Sequence, residues 1–182
     1  MNRWRLNYVA SLLLRDAVIA YPTEGVWGLG CIPASWEAVA RILALKNRRW
    51  QEGLLLVAAD ISQLEPYLTG LAEREIAELE SAWPGPVTYL VPDNGVAPGW
   101  IVGGHETLGL RVTDHPLVRS LCELSGPLVS TSANVSGRPA AMSALEVHRY
   151  FDGRIDCVVP GDLGGTGRSS EIRVLATGEV IR

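Results

Sequence analysis

Segments whose apolar residues recur at helical spacing alternate along this chain with short, unbroken apolar runs. Leucine, valine and alanine at positions 6, 9, 10, 13 and 14 form one helical stripe, and the apolar run AVIAYP follows it. The stripe predicts an amphipathic helix, and the run predicts a buried strand. The same alternation continues towards the C-terminus.

Further elements follow in the same order. Ser35 is placed to cap a second helix, and Ser143 with Glu146 has the spacing of a capping box for a short one. Strands are predicted at LLLVAA, VTYLVP, TLGLRV, PLVST and around the C-terminal turn ATGEVIR, and further helices at LAEREIAELESAW and PLVRSLCELS. This order predicts an α/β fold, a single domain over residues 1–182 with a twisted, mixed, open sheet flanked by helices.

Composition narrows the class of protein. The chain has 182 residues, of which 47% are hydrophobic and 20% charged, which suits one core. Cys31, Cys122 and Cys157 are far apart and lie in no CxxC pair, which favours a reducing compartment. No signal peptide or long apolar run is visible, so we expect a cytoplasmic location without membrane contact. The net charge of −4 argues against coating nucleic acid by bulk attraction.

The stretch GPLVSTSANVSG leaves a predicted strand with a row of uncharged polar side chains. They are Ser130, Thr131, Ser132, Asn134 and Ser136. Hydroxyl and N–H groups at a strand end can bind phosphate or carboxylate oxygens. The alternative is a turn or a helix cap that satisfies itself. Five such side chains within seven positions exceed what one turn needs, which favours a binding site.

Cationic residues give a second indication. Lys46 is the only lysine among sixteen lysine and arginine residues, and it lies in ALKNRRW near a predicted helix end. Lys46, Arg48 and Arg49 can complement the helix dipole, or Lys46 and Arg48 can both face a triphosphate. Arg111 lies between two apolar residues of a predicted strand, so its side chain points to the opposite face. It either snorkels out of the sheet or grips a carboxylate with two hydrogen bonds.

Other motifs give no support for a nucleotide-binding loop, a metal site or a catalytic triad. The glycine-rich GDLGGTGRSS lacks the lysine of a Walker loop, and GVWGLG does not fit GxGxxG. His105, His115 and His148 have no metal-ligand spacing and form no triad pattern. We therefore expect no protein-held metal.

Six ordered segments resemble the YrdC family. They are YPTEGVWGLGC, KNRR, WPGPVTYLVP, LGLRVTDHP, STSANVSG and SSEIR, and they span nearly the whole chain. The resemblance implies an open α/β fold with a large concave cleft. It also implies L-threonylcarbamoyladenylate synthase activity, in which L-threonine, bicarbonate and ATP react and pyrophosphate is released. The product would serve to build threonylcarbamoyladenosine beside the anticodon of tRNA.

The resemblance also implies roles for residues. Thr23, Arg111 and Ser130 are similar to residues that hold threonine, with Arg111 on its carboxylate. Lys46 and Arg48 match a KxR motif that meets the phosphates and would carry the catalysis. The positions that match ATP contacts are Lys46, Arg48, Thr107, Ser132, Asn134 and Arg182. Mg²⁺ is expected to come with ATP, without a dedicated carboxylate cage.

Five positions depart from the family pattern. Arg49 replaces a proline, Glu52 an asparagine, Val57 a histidine that lies near the amino acid, Gly25 a threonine and Ala140 a serine that often binds ATP. Contacts from these positions therefore do not carry over. We treat them as features of a subgroup.

Two alternatives and several partners stay open. A non-catalytic module could hold tRNA or double-stranded RNA through Lys46, Arg48, Arg49 and Arg138. A carbamoyl-adenylate activity like that of the YrdC-like domain in hydrogenase maturation proteins is the other, but this chain lacks the accompanying acylphosphatase and zinc-binding segments. Further expected partners are tRNA and other enzymes of the threonylcarbamoylation pathway.

Overall fold

A computed structural model describes residues 1–165, 167 and 169–182. Thr166 and Arg168, within the glycine-rich stretch GDLGGTGRSS, lie outside the described residues. The strands are β1 (Ile19–Pro22), β2 (Trp27–Gly30), β3 (Leu55–Ala58), β4 (Val87–Pro92), β5 (Thr107–Val112), β6 (Leu128–Ser132), β7 (Cys157–Val158) and β8 (Glu171–Val174). They form one sheet in the order β7-β1-β2-β6-β3-β5-β4-β8 with parallel and antiparallel pairs.

Seven α-helices accompany the sheet in the described part of the chain. They are α1 (Arg3–Leu13), α2 (Trp36–Lys46), α3 (Glu65–Leu68), α4 (Glu73–Ala82), α5 (Gly99–Val102), α6 (Pro116–Ser125) and α7 (Ala144–Phe151). Two 3-10 turns cover Trp50–Glu52 and Ile61–Leu64. The Ser35 hydroxyl accepts a hydrogen bond from the N–H of Ala38, as its predicted capping role requires.

Glu146 caps α7 differently from the prediction. The Ser143 hydroxyl accepts from the N–H of Glu146, but the Glu146 carboxylate accepts from the N–H of Met142 instead of the cap residue. The helix therefore begins where the sequence predicts, with its reciprocal bond shifted by one residue.

The core has two parts, one on each face of the sheet. On one face, α2, α4, α5 and α7 pack on strand residues such as Leu29, Leu56 and Leu110. On the other face, α1 and α6 pack on Ile19, Tyr21 and residues near them. The α/β fold with a mixed sheet flanked by helices is thereby confirmed. The large concave cleft stays a prediction.

Strands β2 and β7 were not predicted. WGLG has alternating glycines that lower its strand propensity, and β7 has only two residues. Pairing with β1 and β6 on its two sides makes WGLG a strand. Among the described residues, no helix is long and apolar enough to cross a membrane.

Gly30 allows β2 to lie close to its neighbours, and this can be tested. A Cβ at Gly30 would lie 2.6 Å from the carbonyl oxygen of Val129 and 2.7 Å from the buried ring of Tyr21. We expect Gly30→Ala to lower the free energy of unfolding by about 1–3 kcal/mol in urea denaturation, because neither neighbour can move away. Gly99→Ala is the control, since a Cβ there meets nothing within 4 Å. Equal stability of the two variants would contradict this packing.

Candidate active site

A row of residues across four strands forms the floor of the candidate site. Leu90 of β4 lies opposite Gly109 of β5, Gly109 pairs with Leu55 of β3, and Leu55 pairs with Ser130 of β6. Two cavities open above this floor, and both are lined by Leu55, Ser130 and Thr131. They therefore adjoin, so that two ligands bound in them would lie next to each other.

The larger cavity contains Arg48 and Thr107 of the predicted ATP residues. Apolar side chains of Leu90, Val102, Ile172 and Ile181 also line it. An apolar lining beside a cation suits a ligand with a flat apolar part and an anionic part.

Arg48 is held by the turn that follows it. Its Nη2 donates to the carbonyls of Glu52 and Gly53 at 3.0 and 2.9 Å, and its Nη1 lies 3.3 Å from the Glu52 carboxylate. Its Nε is buried without a hydrogen-bond partner among the described residues. The guanidinium thus faces the larger cavity from a fixed position.

The smaller cavity brings together the three predicted threonine-binding residues. Thr23, Arg111 and Ser130 line it, together with Ser132 and Arg182. Arg111 is only 5% exposed, so the snorkelling interpretation is wrong. Arg182 donates from Nε and Nη2 to the carbonyl of Ser170. Burial and then the like charge of Arg111 lower the pKa of Arg182.

Glu24 balances the buried charge of Arg111. Its Oε2 lies 3.3 Å from Nη1 of Arg111, and its Oε1 accepts from the Thr113 hydroxyl at 2.7 Å. Burial alone would raise the pKa of Glu24, but Arg111 and the Thr113 hydroxyl outweigh it and hold the pKa below its usual value. The Glu24 carboxylate is therefore ionised at neutral pH.

Lys46 lies beneath the loop after β6 instead of lining either cavity. Its Nζ donates to the carbonyls of Ser132 and Asn134 and to the Asn134 side chain, at 2.5, 3.0 and 3.0 Å. An ammonium has three protons, so all of its donors are engaged. Burial, followed by the charge of Arg48, lowers the pKa of Lys46 to about 8. The ammonium form still dominates at neutral pH.

The row of polar side chains divides into two groups. Ser130, Thr131 and Ser132 line one or both cavities. Asn134 lines neither, because its Oδ1 accepts from Ser132 Oγ and its Nδ2 donates to the carbonyl of Arg138. Both interpretations of this row are thus partly realised, with a cavity wall at its start and a self-satisfied turn after it.

Sequence reasoning missed three polar residues of this region. Thr88 of β4 is fully buried and lines the larger cavity, and Glu24 and Thr113 lie behind the smaller one. Period-two alternation along VTYLVP could have placed Thr88 with Leu90 on one face. No pattern in the sequence signals the pairing of Glu24 with Arg111, because 86 residues separate them.

The departures from the family pattern have clear positions. Glu52 is exposed at the rim and contacts Arg48, whereas Val57 is fully buried against the α6 side of the core. Neither Gly25 nor Ala140 lines one of the two cavities. The described residues contain no group of three or more metal-ligating side chains.

Comparison with known proteins gives the family context. Residues 11–182 match the family of Sua5, YciO and YrdC proteins, whose profile carries the description telomere recombination. A Stutzerimonas stutzeri protein named threonylcarbamoyl-AMP synthase is 53% identical over 98% of this chain and 97% of its own. A Pseudomonas fluorescens protein with the same name is 51% identical over 100% of this chain and 98% of its own.

A solved structure shares the fold closely. The crystal structure of P. abyssi Sua5 complexed with L-threonine superposes with a TM-score of 0.93 at 32% identity. The match covers 100% of this chain and 54% of the P. abyssi chain, so this chain corresponds to about half of that protein.

The titration of Lys46 is directly measurable, because a chain with one lysine gives one lysine ¹³Cε resonance. We expect a midpoint near pH 8 by NMR. Unfolded lysine keeps its proton to about pH 10.4, so the unfolded chain binds more protons between these values. Lys46 therefore makes the free energy of unfolding rise with pH in that window.

An Arg48 variant tests the cause of this shift, and an Arg74 variant serves as its control. Arg48→Gln should move the midpoint to higher pH, because a like charge near the ammonium is removed. Arg74→Gln, a change on the exposed face of α4, should leave it unchanged. A wild-type midpoint at the ordinary value for lysine would contradict the burial described above.

Proposed function

Because this chain belongs to the family of Sua5, YciO and YrdC proteins, we propose that it is a threonylcarbamoyl-AMP synthase. It would join L-threonine, bicarbonate and ATP and release pyrophosphate. The observation that carries the proposal is the pair of adjoining cavities, one lined by Arg48 and Thr107 and the other by Arg111. The reaction needs an amino acid and a nucleotide side by side.

The chemistry requires positioning more than acid or base catalysis. The threonine amine attacks the carbon of bicarbonate, water leaves, and a carbamate forms. A carbamate oxygen then attacks the α-phosphorus of ATP, and pyrophosphate departs with the electron pair of the broken P–O bond. Since the carbamate is unstable in water, adjoining cavities shorten the path from its formation to its use.

Threonine is assigned to the smaller cavity. Arg111 is a buried cation there, and a carboxylate is its natural ligand. Ser130 lies on the shared floor and Thr23 at the side, where both hydroxyls can meet the polar groups of an amino acid. The Thr23 hydroxyl already donates to the carbonyl of Val26, which leaves its lone pairs for a ligand amine or hydroxyl.

ATP is assigned to the larger cavity. Its apolar side chains suit the adenine, and Arg48 and Thr107 suit the phosphates and ribose. Ser132 and Arg182 would reach ATP from the side of the smaller cavity. Asn134 contacts ATP only if its amide gives up one of its present hydrogen bonds in the loop after β6. Lys46 contacts a phosphate only if it exchanges one of its three present acceptors. As the structure stands, it holds the loop and places a positive charge beneath it.

Mg²⁺ is assigned to ATP as part of the substrate. Glu52 is the one carboxylate among the described residues that line the larger cavity. A site with a single carboxylate fits an ion held mainly by phosphate oxygens and water. The same proposal includes bicarbonate as a substrate. It also includes the use of the product in modifying tRNA beside the anticodon and the transfer of that product to other enzymes of the pathway.

Pyrophosphate release by the purified protein tests the activity. With MgATP and bicarbonate, we expect release that depends on L-threonine and is much slower with L-serine, because the cavity must recognise the substrate side chain. RNA binding that weakens steeply with salt, without threonine-dependent release, would favour the non-catalytic RNA module instead.

Arg48 should contribute strongly to turnover. We expect Arg48→Ala to lower kcat/KM by about 10²–10³-fold, because a fixed cation beside the developing phosphate charge is lost. Arg74→Ala removes an exposed arginine of α4 outside both cavities and should leave kcat/KM unchanged. Equal activity of the two variants would remove Arg48 from the site.

A further inference from the structure

The buried guanidinium of Arg111 keeps donor capacity that no described residue uses. Its Nη1 faces Glu24 at 3.3 Å, while its Nε has no hydrogen-bond partner among the described residues. Arg111 also lines the smaller cavity. A ligand carboxylate can be held by two parallel bonds only if the plane of the guanidinium is fixed.

A second layer behind Arg111 fixes that plane. Glu24 accepts at Oε1 from the hydroxyl of Thr113 at 2.7 Å and from the N–H of Asp114 at 3.2 Å. The Thr113 oxygen in turn accepts from the N–H of His115 at 3.1 Å. Because a hydroxyl has one proton, the bond from His115 leaves that proton directed at Glu24.

The chain connectivity makes this layer rigid. Thr113 and Asp114 directly follow β5, the strand that carries Arg111, and His115 is the residue that precedes α6. Thr113 is fully buried, and neither it nor Glu24 lines a described cavity. The groups that hold the carboxylate of Glu24 thus come from the same strand end as the guanidinium it faces.

We propose that Glu24 and Thr113 are positioning residues for the amino acid substrate: the Thr113 hydroxyl orients the Glu24 carboxylate, which holds Arg111 with its free donors towards the substrate carboxylate. The inference rests on the proposed function and adds two residues that do not touch the substrate. A merely structural role is the competing explanation, since removing one partner of a buried ion pair destabilises the fold whether or not the pair serves the substrate. The test must therefore report on the substrate carboxylate itself.

Thr113→Val and Thr113→Ser form a matched pair for this test. Valine keeps the shape and removes the hydroxyl, whereas serine keeps the hydroxyl and removes the methyl group. The readout is the ratio of kcat/KM for L-threonine to that for L-threoninol, in which the carboxylate is replaced by CH₂OH and the reacting amine is retained. KM for ATP and the thermal unfolding midpoint are measured alongside.

We expect Thr113→Val to lower kcat/KM for L-threonine by about 10- to 100-fold while the value for L-threoninol and KM for ATP stay near wild type. Thr113→Ser should keep the wild-type ratio. Glu24→Gln should lower the ratio as well, because its amide N–H₂ would face Arg111 donor to donor, and it replaces Thr113→Val if that variant does not fold.

Three outcomes overturn the inference. An equal fall in kcat/KM for both substrates would show a structural role only, and wild-type kcat/KM for both substrates in Thr113→Val or Glu24→Gln would show no role. Loss of the ratio in Thr113→Ser would assign the effect to the methyl group. If the wild type instead releases no pyrophosphate with L-threonine, the proposed function fails first and the inference with it.

Discussion

The alternation of side chains along the strands decides what each face of the sheet offers. Alternate residues of the strands point to one face and pack against α2, α4, α5 and α7. The residues between them point to the other face, where they pack against α1 and α6 or form the cavity floor. Arg111 and Val57 are paired across β5 and β3 and share a face, yet one lines a cavity and the other is core. The site therefore begins where the cover of α1 and α6 ends.

Two buried cations are stabilised in different ways. Lys46 is surrounded by oxygen acceptors of one loop, so its charge orders the chain after β6. Arg111 is paired with a carboxylate that is itself held by a strand end. Loss of one partner from a buried pair of this kind costs about 3–5 kcal/mol, because the other charge stays buried. Both arrangements place positive charge next to cavities without exposing it fully to water.

The contact between Arg48 and Glu52 shows how a departure from the family pattern is accommodated. A carboxylate at the rim of the larger cavity would oppose a triphosphate, but here it also fixes the arginine that would bind one. Because both side chains are partly exposed, the pair contributes little to stability. Its main effect is to hold the Arg48 guanidinium in position.

The sequence by itself determined most helices and strands, since hydrophobic period and caps such as Ser35 act over a few residues. It also determined which polar stretch and which cations to examine, and seven of the nine predicted site residues line the cavities. Only the tertiary structure decided that Lys46 and Asn134 lie behind the cavity wall, that WGLG becomes a strand between β1 and β6, and that Glu24 faces Arg111. These outcomes depend on contacts between residues far apart in the chain, which no local pattern records.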